Sequence, residues 1–183
     1  MGAKAKMKPG GTAAGNQHWC TPQWLVDLVH DVFEGPPELD PFSNRDILVD
    51  AAFAFTGPGG FDRDGFEPRD GFSEPWYEIG DTVYFNPPWK HSGRAVRHAR
   101  EMLLDSTAEI TGVIPCSMNS QYWPEVEASP SRCYFHKRPS FLESGVERNG
   151  NAKDCCAVYW GHRPYRFADV FSRVGRIHFG VIR

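Results

Sequence analysis

Thr82-Val83-Tyr84-Phe85-Asn86-Pro87-Pro88-Trp89 is the stretch that decides the fold. Four β-branched and aromatic residues make a strand. Asn86-Pro87-Pro88 ends it, because proline has no N–H for a ladder and pushes the preceding residue away from helix. Beyond the turn, Ser92 to Asp105 reads as a helix with Ala95, Val96, Ala99, Met102 and Leu103 on one side. Ile110 to Ile114 then reads as a second buried strand. Upstream, Thr21-Pro22 opens a helix, Thr as N-cap and Pro at the first helical position. Its apolar stripe is Leu25, Leu28, Val29, Val32 and Phe33, and Gly35-Pro36-Pro37 stops it. Glu38 to Phe42 is a short strand, Asp46 to Phe55 is ambiguous, and residues 56–75 form a long Gly/Pro/Asp-rich loop. Downstream come a helix near Ser120–Ala128, strand-like Arg132–Phe135 and Cys155–Trp160, and a closing Ile177–Ile182. Strands alternating with helices, then mostly strands, predict an α/β sandwich with an antiparallel edge strand near the C-terminus.

A chain of 183 residues fits one domain, and 40% hydrophobic with 23% charged residues is globular composition. Residues 1–17, rich in Lys, Gly and Ala, read as a flexible basic arm before a domain spanning 18–183. No apolar run approaches the ~20 residues of a membrane helix. Met1 to Lys6 lacks the apolar segment of a secretory signal, and Lys6 stands where a myristoylation site needs Ser or Thr. The expected location is the cytoplasm, with no membrane partner. The five cysteines show neither a disulfide framework nor a complete set of metal-ligand spacings, and read as reduced, mostly buried thiols. Net charge is −3, yet residues 1–91 carry 7 Lys+Arg against 14 Asp+Glu, and the rest carry 13 against 9. Arg132, Lys137, Arg138, Arg163, Arg166, Arg173 and Arg176 gather late, which permits a phosphate-facing side.

Ligands of open α/β sheets bind outside the carboxyl ends of strands, which is where Asn86-Pro87-Pro88-Trp89 falls. These residue types suit attack by an exocyclic aromatic amine, whose lone pair is delocalised into the ring. Two acceptors aimed at its two hydrogens draw the nitrogen toward tetrahedral geometry. The Asn86 side-chain oxygen is one such acceptor and the Pro87 carbonyl the other. Trp89 offers a face on which an extruded base would stack. Both acceptors are neutral and preorganised. Pro-Pro alone is not diagnostic, since Gly35-Pro36-Pro37 repeats it in the same chain.

The motif has companions in order. Trp19-x-Thr21-Pro22, Leu39-Asp40-Pro41-x-Ser43-Asn44, Asp70-Gly71-Phe72 with Trp76, and Val83-x-Phe85-Asn86-Pro87-Pro88-Trp89 together resemble the small phage-type DNA N-6-adenine methyltransferases. The likeness continues through Arg138-Pro139-x-Phe141, Ala157-Val158-x-Trp160-Gly161 and Phe171-x-x-x-Gly175-Arg176-Ile177, covering about residues 19–177. The resemblance implies a Rossmann-like methyltransferase sheet with a late antiparallel strand at Cys155–Trp160. It implies transfer of a methyl group from S-adenosyl-L-methionine, without metal, to the exocyclic N6 of adenine in double-stranded DNA. Thr21, Pro22, Asp40, Pro41 and Asp70 match cofactor-binding motifs, and Asn86, Pro87, Pro88 and Trp89 match the catalytic one. If the chain is phage-encoded, its location is the host cytoplasm.

Departures accompany the likeness. Phe42-Ser43-Asn44-Arg45 stands where methyltransferases often carry a Gly-rich turn, Phe72 replaces the usual Leu, and the Gly57–Phe72 loop is longer than the family's. Cytosine N4 and glutamine side-chain methylation share the chemistry, and a catalytically silent fold acting as a DNA- or partner-binding module is the alternative from another class. Asp50 could face a cofactor ribose but reads better as a solvated loop carboxylate. Lys90 and His91 read equally as phosphate contacts or surface. Residues 56–75 and 129–153 are the expected sites of target recognition.

Overall fold

In the computed structural model, which describes residues 19–43, 49–55, 70–73, 75–103, 107–143, 146–147 and 153–180, a two-residue strand β1 (Trp19–Cys20) precedes α1 (Gln23–Phe33). Strands β2 (Leu39–Asp40) and β3 (Phe53–Ala54) follow. A 3₁₀ turn at Trp76–Glu78 leads into β4 (Thr82–Phe85), and another at Trp89–His91 leads into α2 (Ser92–Met102). Then come β5 (Glu109–Pro115), α3 (Trp123–Glu127) and β6 (Ser131–Phe135). A small hairpin, β7 (Leu142–Glu143) and β8 (Val146–Glu147), precedes β9 (Cys155–Trp160), α4 (Pro164–Phe171) and β10 (Gly175–Phe179).

The fold is mixed α/β. Seven strands form one sheet in the order β10-β6-β9-β5-β4-β2-β3, and β1 joins the hairpin in a three-stranded sheet β1-β7-β8. β3, β2, β4 and β5 pair in parallel. β9 runs antiparallel between β5 and β6, and β10 runs antiparallel outside β6. Cys155–Trp160 is therefore antiparallel as expected but lies inside the sheet, and β10 is the edge strand.

Alternation along the central strands builds three layers. Val83 and Phe85 of β4, Ile110 and Ile114 of β5, and Cys156, Val158 and Trp160 of β9 face α2 and α3, with Trp76, Phe42 and Phe72. Tyr84, Val113, Cys155, Ala157 and Tyr159 face the other way, onto α1 and α4. Leu25, Val26, Leu28, Val29, Val32 and Phe33 of α1 are all buried, each contributing roughly 1.5–3 kcal/mol of burial. Gly112 lies under the Phe85 ring, into which a Cβ would run. None of the five cysteines is in a disulfide; Cys116 is half-buried and the other four are buried. Among the described residues no helix is long and apolar enough to cross a membrane.

Local readings needed four corrections. The N-cap of α1 is Pro22, extended at φ −67° and ψ 147°, so Thr21 lies outside the helix and its hydroxyl does not cap it. The left-handed residue ending α1 is Glu34 (φ 66°), not Gly35. The helix expected over Ser120–Ala128 shortens to α3, and α4, read as neither helix nor strand from sequence, is an eight-residue helix burying Phe167, Val170 and Phe171. The arm 1–17, Asn44-Arg45, residues 56–69, the end of the Ser92–Asp105 helix and Ile182 lie outside the described residues.

The amino edge of the sheet, where Thr82 pairs with Glu109, is locked by a charge network. Glu109, 5% exposed, receives Arg163 Nε on both oxygens (3.0 and 2.9 Å), Arg163 Nη2, and the Tyr159 hydroxyl. Arg163 also pairs with Glu34 (2.7 Å), while Arg166 Nε donates to the Val32 carbonyl (2.9 Å). Arg166 and Arg173 reach Glu34 and Asp31 as well, tying α4 to the end of α1. Burial works against ionised Glu109, but the Arg163 and Tyr159 hydrogen bonds prevail and hold it below the ordinary carboxylate range. Arg163→Ala should cost about 3–5 kcal/mol in urea unfolding, because it strands a buried charge. A depressed carboxylate stabilises above its unfolded pKa, so the difference from wild type should shrink as pH falls through Glu109's folded value.

Candidate active site

The parallel strands deliver their carboxyl ends to the opposite edge. Leu39 registers with Val83, so Asp40 at the end of β2 lies level with Tyr84, and Asn86 follows two residues further along, just past β4. α1 packs on the sheet with its N-terminus at this edge, which brings Thr21-Pro22 to Asn86. Tyr84 and Asn86 are two apart on an extended chain and point to the same side. Thr21 Oγ1 sits between their tips, 2.9 Å from the Tyr84 hydroxyl and 3.3 Å from Asn86 Nδ2, which donates to it. Thr21 is 6% exposed and Tyr84 1%, while Asn86 is half-buried. Burial pushes the Tyr84 phenol well above its ordinary pKa, so it stays protonated. With its nitrogen committed to Thr21, Asn86 presents Oδ1 as an acceptor.

Past Asn86, the Pro88 carbonyl accepts from the His91 N–H (2.7 Å) and starts the 3₁₀ turn. The Pro87 carbonyl precedes that turn and accepts no hydrogen bond among the described residues. Trp89 is half-buried, packed on the α1/α4 side of the core, with Lys153 Nζ 5.6 Å from its ring centroid. Lys153 was not singled out by sequence; it arrives through β9, whose Cys155 pairs with Pro115 at this edge. Lys90 is exposed. His91 is half-buried against Phe72 (6.0 Å between centroids), and its Nε2 makes no hydrogen bond among the described residues. Burial lowers the His91 pKa, and Lys90 and Arg94 add to the effect. A neutral, inward imidazole is a poor phosphate contact.

Asp40 is 5% exposed, and its Oδ1 accepts the Phe42 N–H at 3.1 Å. Burial pushes its carboxyl up to about 7, with the Phe42 N–H pulling down. No described cation pairs with it. Asp70 Oδ1 similarly accepts the Phe72 N–H (3.0 Å), the Trp76 indole donates to the Gly71 carbonyl (2.6 Å), and Gly71 lies directly on Pro41. Asp40-Pro41 and Asp70-Gly71 thus meet as two backbone turns, sealed by the Phe42–Phe72 ring contact (4.8 Å). A Cβ at Gly71 would run into the Pro41 carbonyl. Gly71→Ala should therefore part the two turns and cost about 1–3 kcal/mol of stability, since a backbone oxygen cannot yield as a side chain can. Urea unfolding checks this.

All nine sequence-selected site residues thus lie at one edge of the sheet. Asp50 does not: it precedes β3 at the other edge, exposed, at φ 55°. The late arginines are largely spent internally, Arg163, Arg166 and Arg173 on α1 and Arg138 on Asp154 (2.6 Å). Comparison of the chain with protein-family models, curated proteins and solved structures finds no match.

Proposed function

We propose that this chain is an S-adenosylmethionine-dependent DNA methyltransferase acting on the exocyclic N6 of adenine, built on a Rossmann-like sheet. The observation that carries the reading is a buried carboxylate, Asp40, with no cationic partner among the described residues, at the strand end next to the acceptor pair Asn86 and Pro87. The antiparallel β9 matches the late antiparallel strand that the methyltransferase sheet calls for. The donor set fits the cofactor. A buried carboxylate with no cationic partner among the described residues favours a cationic ligand, and S-adenosylmethionine carries an ammonium and a sulfonium. When bound, it supplies a methyl group on positively charged sulfur, an electrophile needing only an unencumbered lone pair.

The chain's residues free that lone pair. Asn86 Oδ1 and the Pro87 carbonyl accept the two amine hydrogens, and their attraction grows as positive charge develops on nitrogen. Two successive prolines hold the second acceptor outside any helical ladder. Trp89 stacks on the extruded base through ring surface that Lys153 leaves open, and Lys153, whose ammonium lies over the ring 5.6 Å from its centroid, has a backbone phosphate as its natural partner. Asp40-Pro41 and Asp70-Gly71 wall the cofactor side.

Tritium transfer from labelled cofactor to a duplex with adenine as its sole amino-bearing base, one with cytosine alone, and a glutamine-containing protein tests the substrate class. Label is expected in the adenine duplex only. Label confined to cytosine or protein would reassign the substrate, and none anywhere would leave a binding module.

A further inference from the structure

We propose that the Thr21–Tyr84 hydroxyl pair is the device that sets the orientation of the Asn86 amide, making both residues positioning residues for the transfer. This rests on the reading of Asn86 as the amine acceptor, and goes beyond the cofactor contact that resemblance alone implies for Thr21.

An asparagine amide can turn by 180° about its last bond with little change in shape. Only its hydrogen-bond partners decide whether oxygen or nitrogen faces the substrate. Oxygen accepts the amine hydrogens; nitrogen would repel them. Asn86 Nδ2 donates to Thr21 Oγ1 at 3.3 Å, and Thr21 Oγ1 shares a hydrogen bond of 2.9 Å with Tyr84. With Thr21 giving the shared proton to Tyr84, only lone pairs remain on Thr21 Oγ1, so it meets the amide solely as an acceptor. The pair is held on all sides. Tyr84 is 1% exposed within the α1/α4 core, and Thr21 is fixed between β1, which pairs with β7, and the extended Pro22. Thr21 is therefore an acceptor that cannot swing away, and Tyr84 is what keeps its hydroxyl from turning elsewhere.

Three variants test this in the full chain. Thr21→Val keeps the shape and removes the hydroxyl, Thr21→Ser restores it, and Tyr84→Phe removes only the phenol oxygen. In wild type, the Asn86 side-chain N–H protons should show nuclear Overhauser contacts to Thr21. Thr21→Val should shift the Asn86 side-chain amide resonances, with kcat falling roughly 10- to 100-fold and cofactor Kd and DNA KM changing little. Thr21→Ser should recover most of both, and Tyr84→Phe should fall between. Unmoved Asn86 resonances, or a Thr21→Val loss confined to cofactor affinity with kcat intact, would overturn the proposal. If wild type transfers no methyl group to any amine, the proposed function fails, while the resonance shifts still decide the hydrogen bond.

Discussion

Asn86→Ala should lower the rate of methyl transfer on the order of 100- to 1,000-fold, the usual cost of one preorganised charge-stabilising group. On the proposed reading cofactor affinity should change little, because the Asn86 acceptor would act on the amine while the cofactor would lie against Asp40-Pro41 and Asp70-Gly71. Folding should survive too. Asn86 is only half-buried, and the Thr21–Tyr84 hydrogen bond persists without it. Single-turnover rates at saturating DNA and cofactor measure the effect free of binding. A variant within a few-fold of wild type would remove Asn86 from the chemistry.

Asp40→Asn should abolish measurable cofactor binding and yet make the free protein more stable at pH 8. A carboxyl pushed up to about 7 by burial binds its proton more tightly folded than unfolded. Folding stability from this group is therefore fully present below the unfolded value and lost as pH rises from about 4 to 7. Above 7, wild type carries a buried charge with no cationic partner among the described residues. The neutral amide removes that burden, a gain of up to about 4 kcal/mol at pH 8 for a shift of this size. The same titration governs binding: wild-type affinity for the cationic cofactor should rise with pH through about 7 and then level. Thermal unfolding of both proteins at pH 5 and 8, with calorimetry across that range, checks both halves. Equal stability at pH 8 would mean that Asp40 is already paired.

Elements that bury a long apolar face were legible in the sequence. The stripe of α1 and the β-branched and aromatic run of β4 announce themselves locally. α4 escaped because its apolar residues, Phe167, Val170 and Phe171, make barely one stripe in eight residues, and Arg163 and Arg166 give it a polar look. Its helical state comes from packing against α1 and from charges it shares with Glu34 and Glu109. The place of β9 between β5 and β6 is likewise a matter of long-range pairing, not of local pattern. At the site, Asn86-Pro87-Pro88 and Asp40-Pro41 were legible because strand ends carry their own punctuation. Thr21 was misread as a cap because Thr-Pro commonly starts helices, and the extended Pro22 displaces the start by one residue. Tyr84 was missed since its partner is 63 residues away, although its two-residue spacing from Asn86 already put both on one side.

The most direct measurement is mass spectrometry of nucleosides released from duplex DNA incubated with S-adenosylmethionine and either wild type or Asn86→Ala. The expected result is N6-methyladenine with wild type and a trace at most with the variant. Methyl groups on cytosine N4 alone, or none on any nucleoside while calorimetry shows the cofactor bound, would contradict the assignment of this strand-end site to adenine.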